Sequence, residues 1–265
     1  MTPQSTLAAA LERQPPPAGG FSPAIVQLEV RRLLRNRRTM ILAVILPVLF
    51  FLGFGLDNSY VHQRVGHGNL SAVEMISIAL YGAVAATATC GAMVSVERAA
   101  GWSRQLRVTP LSPAAYVVIK MLTSLVLAAG AVGAVFLVGA VTNKVAMPAA
   151  LWVISGLCVW IGSLLFAAFG LFTGYLLPSE NVTQVIGLAI TLCSFAGGLF
   201  IPLSQFSPDL RTFAEFTPLY GLSLLVHYPL VGGTLQWGWI LNLVVWLAIF
   251  VAGATWSLRR DTARV

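Results

Sequence analysis

The sequence predicts an all-α membrane protein: six transmembrane helices, an N-terminal amphipathic interfacial helix, and short re-entrant outer helices between helices five and six. Three observations predict it. Of 265 residues, 57% are hydrophobic and only 9% are charged, where a soluble domain carries about 25%. The charges cluster, leaving uncharged stretches long enough to cross a hydrocarbon core of about 30 Å at about 1.5 Å per residue. Twelve of the 16 Lys and Arg residues fall in segments that alternate onto one side of the bilayer, as the positive-inside rule requires. The net charge of +7 therefore reports topology, with membrane lipid as a partner and no nucleic acid.

The elements follow in order. Residues 1–21 contain Pro15-Pro16-Pro17 and Gly19-Gly20 without sustained periodicity, which predicts a disordered cytoplasmic tail. Residues 22–38 open with Ser22-Pro23, a helix start. Val26, Val30, Leu33 and Leu34 then share one face, and Glu29, Arg31, Arg32, Arg35, Arg37 and Arg38 occupy the rest. Such a helix lies in the headgroup plane with its arginines on anionic lipid.

Residues 39–258 form the six-span domain. The spans are expected at Thr39–Leu56, with Pro47 inside it, Met75–Val96, Ala114–Val141, Ala150–Leu177, Thr183–Leu203 and Trp239–Leu258. The first apolar run begins only near Thr39, too late for a signal peptide. An even number of spans puts both termini on one side, including the tail 259–265. The Arg-rich segments make that side cytoplasmic in a bacterial inner membrane. Tyr60, Trp152, Trp237 and Trp239 are expected at the outer interface, and Trp102, Tyr116, Tyr175 and Trp256 at the inner one. Residues 204–238 are broken by Pro208, Pro218, Pro229 and Gly232-Gly233, yet Leu219–Val231 is largely apolar. That combination predicts helices that dip into the outer leaflet and return. Small residues at Gly170 and Gly174, and at Ser163 and Ala167, suit close packing within the subunit.

Absences narrow the chemistry. Of nine carboxylates, none lies at the middle of an expected span: Glu74 sits at an outer mouth, Glu97 and Glu180 at inner ends. Lys120 is expected to snorkel to the cytoplasmic face. An ion-coupled carrier needs an ionisable group in the membrane. No H-E-x-x-H, serine elbow or phosphate-binding G-x-x-x-x-G-K-[ST] occurs, so catalysis by this chain is not expected. Cys90, Cys158 and Cys193 lie in apolar spans, and His62 and His67 lack acidic neighbours, so no metal site is expected. Phe50, Phe51 and Phe54 of span one are candidates for lining an amphiphile pathway.

The loop from Glu97 to Ser112 carries the clearest motif. Glu97-Arg98, Gly101, then Leu106 and Thr109-Pro110-Leu111-Ser112 resemble the corresponding loop of the type-2 ATP-binding-cassette exporter permeases, the daunorubicin and multidrug-resistance membrane subunits. The chain departs from that family's pattern at Ala99 and Trp102. A second likeness is Gly197-Gly198-Leu199-Phe200-Ile201-Pro202 at the end of span five, followed by Thr217-Pro218. With the basic amphipathic helix, the resemblance covers nearly all of the chain after residue 22.

The resemblance implies a dimer of permease subunits, identical or paralogous, seated on a nucleotide-binding ATPase that holds ATP and Mg2+. The chain itself would need no cofactor. It further implies that residues 97–112 form a cytoplasmic coupling helix, with Glu97, Arg98, Gly101, Arg104, Leu106, Thr109 and Pro110 engaging the ATPase. Gly197, Gly198, Pro202 and Pro218 would make the outer re-entrant turn. The expected function is ATP-driven export of a small amphiphile or drug. A secondary, ion-coupled multidrug carrier is the alternative, and a structural or immunity membrane protein ranks third.

Overall fold

Residues 20–101 and 111–263 are described in a computed structural model of the chain, and among them the structure is nearly all helix. Helix α1 spans Pro23–Arg35, and α2 spans Arg37–Phe50 and widens into a π turn at Phe51–Gly55. A short helix α3 (Asn58–His62) leads to a two-stranded antiparallel hairpin, β1 (Arg64–Val65) and β2 (Gly68–Asn69). Helices α4 (Leu70–Ala92) and α5 (Val94–Ala99) follow, separated at Met93. Beyond them lie α6 (Pro113–Thr142), α7 (Ala149–Gly162), α8 (Leu164–Leu176) and α9 (Val182–Ala196). A 3-10 turn at Leu203–Gln205 then precedes α10 (Pro208–Glu215), α11 (Pro218–Val231) and α12 (Trp237–Ala263).

Four helical runs are long and apolar enough to cross a membrane: Leu70–Ala99, Ala114–Thr142, Ala149–Leu176 and Trp237–Arg260. They coincide with expected spans two, three, four and six. Expected spans one and five correspond to shorter apolar helices, Ala43–Gly55 and Val182–Ala196. Span five was expected to run to Leu203, but its helix stops at Ala196. Gly198 adopts φ +76°, and the amides of Gly198 and Leu199 donate to the carbonyls of Phe195 and Ser194 at 3.1 and 3.0 Å. This is a Schellman stop, which consumes the last carbonyls and turns the chain away. At about 1.5 Å per residue the helix falls short of a hydrocarbon core.

Four helix starts share one local pattern. Prolines begin α1, α6, α10 and α11, each preceded by Ser or Thr: Ser22, Ser112, Ser207 and Thr217. Proline lacks the amide that a helix start cannot satisfy anyway, and at α6 and α10 the preceding serine hydroxyl also accepts a capping hydrogen bond. Ser112 caps α6 through the Ala115 amide at 3.2 Å. The cap of α3 is Asp57, whose carboxylate takes hydrogen bonds from Ser59 that hold its pKa below the ordinary value.

The centre of the bundle is α4, buried along nearly its whole length. It meets α8 backbone to backbone. A Cβ at Gly91 would stand 2.6 Å from the Ala167 carbonyl oxygen, and one at Gly170 would overlap the Ala88 carbonyl. Gly174 approaches Ala92 in the same way. The small-residue step at 170 and 174 is thus an intrasubunit seam. By contrast, α12 exposes Leu241, Val244, Val245 and Ile249, an apolar surface suited to lipid.

At the hairpin end, Asn69 is 1% exposed. Its Oδ1 accepts from the amides of Ala72 and Ala146 at 3.1 and 3.0 Å, and its Nδ2 donates to the Lys144 carbonyl at 2.7 Å. One amide therefore caps α4 and ties down the loop between α6 and α7. Helix α11 packs against α4, α7, α9 and α12 at this end. There the ring Nδ1 of His227 donates to the Ser223 carbonyl at 2.7 Å, which leaves Nε2 to accept from the Ser77 hydroxyl at 3.0 Å.

Candidate functional site

Two features stand out, an ionic cluster that joins α1, α5 and α6 and a groove along α4. The first is ionic. Glu97 closes α5 and is 7% exposed, and Lys120 lies in the second turn of α6 at 6%. Lys120 was expected to snorkel to water. Instead its Nζ donates to Glu97 Oε1 at 2.8 Å and to Glu29 Oε2 of α1 at 2.7 Å. Arg32 of α1 reaches Glu97 Oε1 at 2.9 Å, and the Tyr116 hydroxyl donates to Glu97 Oε2 at 2.7 Å. Two carboxylates and two cations cancel in charge, and Tyr116 fills the remaining carboxylate oxygen. Buried charge is tolerated under these conditions.

The cluster joins three separate elements, α1, α5 and α6. Arg98 adds a fourth. Its Nη1 donates to the Tyr175 carbonyl at 2.7 Å, and its guanidinium lies 5.5 Å from the centroid of the Tyr175 ring. Ser95 donates to the Leu177 carbonyl at 3.1 Å. Both side chains satisfy carbonyls that α8 leaves open at its C-terminus, where a cation is also favoured by the helix dipole. Tyr116 and Tyr175, expected in an interfacial belt, are therefore buried at 4% and 7% and held by this network.

Gly101 has φ +81°, and among the described residues a Cβ there would meet nothing within 4 Å. The Gly101 amide donates to the Arg98 carbonyl at 2.9 Å. A left-handed helix stop accounts for the glycine. Of the remaining residues of the motif, Arg104, Leu106, Thr109 and Pro110 lie outside the described residues, as does Trp102. The described part of the segment thus turns its two charged residues inward.

The second feature is a groove between α2, α4 and α9. Its hairpin-side half holds about 500 Å³ and is lined by Phe50, Phe54, Tyr81, Phe195 and Phe200, with Glu74 among them. An adjoining half of about 350 Å³ runs past Tyr81, Ala85, Thr89 and Met93 towards Thr183. Tyr81 lines both halves. On α4 the positions 74, 78, 81, 85 and 89 follow helical spacing and Met93 continues the row just past its end, so one face of that helix forms the groove floor. Phe50 and Phe54 were expected to line a pathway, and both face the groove. Phe51 does not: it is fully buried against Gly55 in the core.

Gly197, Gly198, Pro202 and Pro218 stand where a turn needs them. Gly197 sits 3.0 Å from Leu219 by its virtual Cβ, Gly198 is the left-handed stop, Pro202 precedes the 3-10 turn, and Pro218 starts α11. Sequence reasoning missed Glu29, Tyr116 and Lys120 as members of the cluster. A lysine seven positions into an apolar helix was the available signal. It also missed Glu74, Tyr81, Phe195 and Phe200, which are joined only by the fold.

Comparison with known proteins agrees with this architecture. Residues 23–228 match the family described as ABC-2 type transporter. The chain is also 24% identical over 238 residues to "Putative transport permease YvfS" of Bacillus subtilis (strain 168), a match that covers 89% of this chain and 96% of that protein. The family match begins at α1 and ends within α11, so it takes in the ionic cluster, the groove and the glycine–proline turn. The chain belongs to the ABC-2 type transporter family, as a multi-pass membrane permease.

Proposed function

We propose that this permease is the membrane subunit of an ABC exporter, which moves a small amphiphile or drug out of the cell. The energy would come from ATP hydrolysis on a separate nucleotide-binding subunit that holds ATP and Mg2+. A second permease subunit, identical or paralogous, would complete the pathway in the bacterial inner membrane. In this reading α2 with its π turn, and α9, serve as spans one and five. The turn built from Gly197, Gly198, Pro202 and Pro218 faces outward, with α10 and α11 as the re-entrant helices.

The observation that carries the reading is the Glu97 cluster. It binds α1, α5 and the base of α6 into one unit, and residues 102–110 follow α5 in the sequence. A displacement of that segment by an ATPase would reach three elements together, and Arg98 would pass it to α8. Glu97 and Arg98 then act as the root of the coupling segment, and Gly101 ends its first helix. Contact with the ATPase falls to Arg104, Leu106, Thr109 and Pro110.

The buried Glu97–Lys120 pair also favours the ion-coupled carrier, because it supplies ionisable groups inside the protein. Each carboxylate there is already held by a cation, which suits a fixed joint better than a site that must exchange a proton.

Orientation and docking are tested together by single cysteines in a background lacking Cys90, Cys158 and Cys193. Gly101→Cys should resist a membrane-impermeant thiol reagent in intact cells, and cross-link to a co-purifying chain with a phosphate-binding loop. Asp209→Cys, on exposed α10, should be labelled from outside; Asn69 is unsuitable because it is buried. Labelling of position 101 but not 209 in intact cells contradicts the proposal.

A further inference from the structure

We infer that the groove between α2, α4 and α9 binds an amphiphilic organic cation, with the Glu74 carboxylate as its counter-ion. This rests on the permease reading and narrows its cargo. The first observation is a continuous ladder of aromatic rings along the groove wall. Phe54 and Phe50 stand 6.2 Å apart between centroids, Phe50 and Tyr81 6.1 Å, Tyr81 and Phe200 5.3 Å, and Phe200 and Phe195 5.2 Å. Three helical regions that are far apart in sequence thus contribute to one aromatic surface. Such rings present negative faces and attract cations, most strongly where water is excluded.

The second observation is Glu74 itself. It lies on the groove-lining face of α4, one turn from Ile78 and two from Tyr81, in the same cavity as the rings. Among the described residues it has no ion pair and no hydrogen-bond donor, although every other carboxylate packed inside the bundle, Glu29 and Glu97, is held by cations. No Lys or Arg lines this cavity. A half-buried carboxylate without a partner is costly in an apolar setting, and a bound cation would remove that cost. The volume of about 500 Å³ lies within the range of small-molecule sites. An anion would meet both the carboxylate and the negative ring faces, so the site discriminates by charge as well as by polarity.

The test uses the purified full-length chain in nanodiscs of zwitterionic lipid, with radiolabelled tetraphenylphosphonium as probe and tetraphenylborate as its counterpart of like size and opposite charge. Wild type should bind the cation saturably and the anion not at all. Glu74→Gln should weaken cation binding by about tenfold or more, and Glu74→Asp by less. Phe200→Leu should weaken it by a few-fold while leaving the charge preference intact. Equal retention of both probes, an unchanged affinity in Glu74→Gln, or no saturable binding by wild type each overturns the inference. Because binding is read without ATPase or ATP, failure of the ATP-driven reading leaves this result standing, and failure here leaves that reading standing.

Discussion

Lys120→Met is expected to destabilise the folded protein by about 3 kcal/mol, the lower edge of the cost of breaking a buried ion pair. The substitution removes the buried cation that bridges Glu29 and Glu97 at 2.7 and 2.8 Å, and leaves Arg32 at 3.8 Å from Glu29. Arg32 still reaches Glu97, but its side chain is 60% exposed, so water screens much of its compensation. The volume of the side chain is nearly kept, which isolates the charge. Thermal unfolding in detergent should shift down, by several degrees on the scale typical of a chain this size. Adding Glu97→Gln to the same protein should recover part of the loss, because the carboxylate that lost its partner is then neutral. Unfolding of Lys120→Met at the wild-type temperature would mean that the cluster contributes no net stability.

Gly170→Leu should be the most damaging change among the glycines. A Cβ at that position would coincide with the Ala88 carbonyl, which is backbone and cannot rotate away. Helices α4 and α8 would have to separate, opening the core along the seam that Gly91 and Gly174 also share. Overpacking of this kind costs about 1–3 kcal/mol even where side chains can adjust, so the yield of monodisperse protein should collapse. Gly187→Ala is the matched control: it lies within α9, and its Cβ would meet nothing within 4 Å. There alanine should be neutral or stabilise the helix by up to about 1 kcal/mol. Equal recovery of both variants by size-exclusion chromatography would contradict the backbone-to-backbone seam.

The parts of the fold that were legible in the sequence are those encoded locally. Long uncharged runs gave spans two, three, four and six to within a few residues, because bilayer thickness sets a minimum length that composition reveals. Ser22-Pro23 marked the start of α1, and the same hydroxyl–proline pair starts three more helices. Span five was misjudged because apolar residues continue to Leu203 while the backbone stops at Gly198. Hydropathy does not register a left-handed glycine.

The candidate site was legible only in its outline. The motif beginning at Glu97 pointed to the right segment, but the orientation of its side chains depends on residues that are distant in sequence. Lys120 could snorkel to water or find Glu29 and Glu97, and only the position of α1 decides. Tyr116 and Tyr175 carry the amphipathic character of interfacial residues and also suit a buried network. Their hydroxyl and ring are used inward, because Glu97 and Arg98 are there to meet them. Gly101 carries a conformational role as well, a left-handed helix stop that its neighbours in the sequence do not announce. The groove was half visible through Phe50 and Phe54. Its other rings, Tyr81, Phe195 and Phe200, meet only when α4 packs against α9 and the turn that follows it.

In the proposed mechanism, force from a separate ATPase enters this permease through residues 97–112 and is spread by the Glu97 cluster. The most direct measurement purifies the chain with its partner, reconstitutes both in liposomes, and follows vanadate-sensitive ATP hydrolysis alongside substrate efflux. The account predicts both activities in the complex and neither in the chain alone. Leu106→Asp should lower efflux by about tenfold or more, as expected if a charge replaces an apolar anchor of the proposed docking interface, while the subunit still inserts in the membrane. Normal efflux by Leu106→Asp with the ATPase fully bound, or ion-driven efflux by the chain alone, would contradict it.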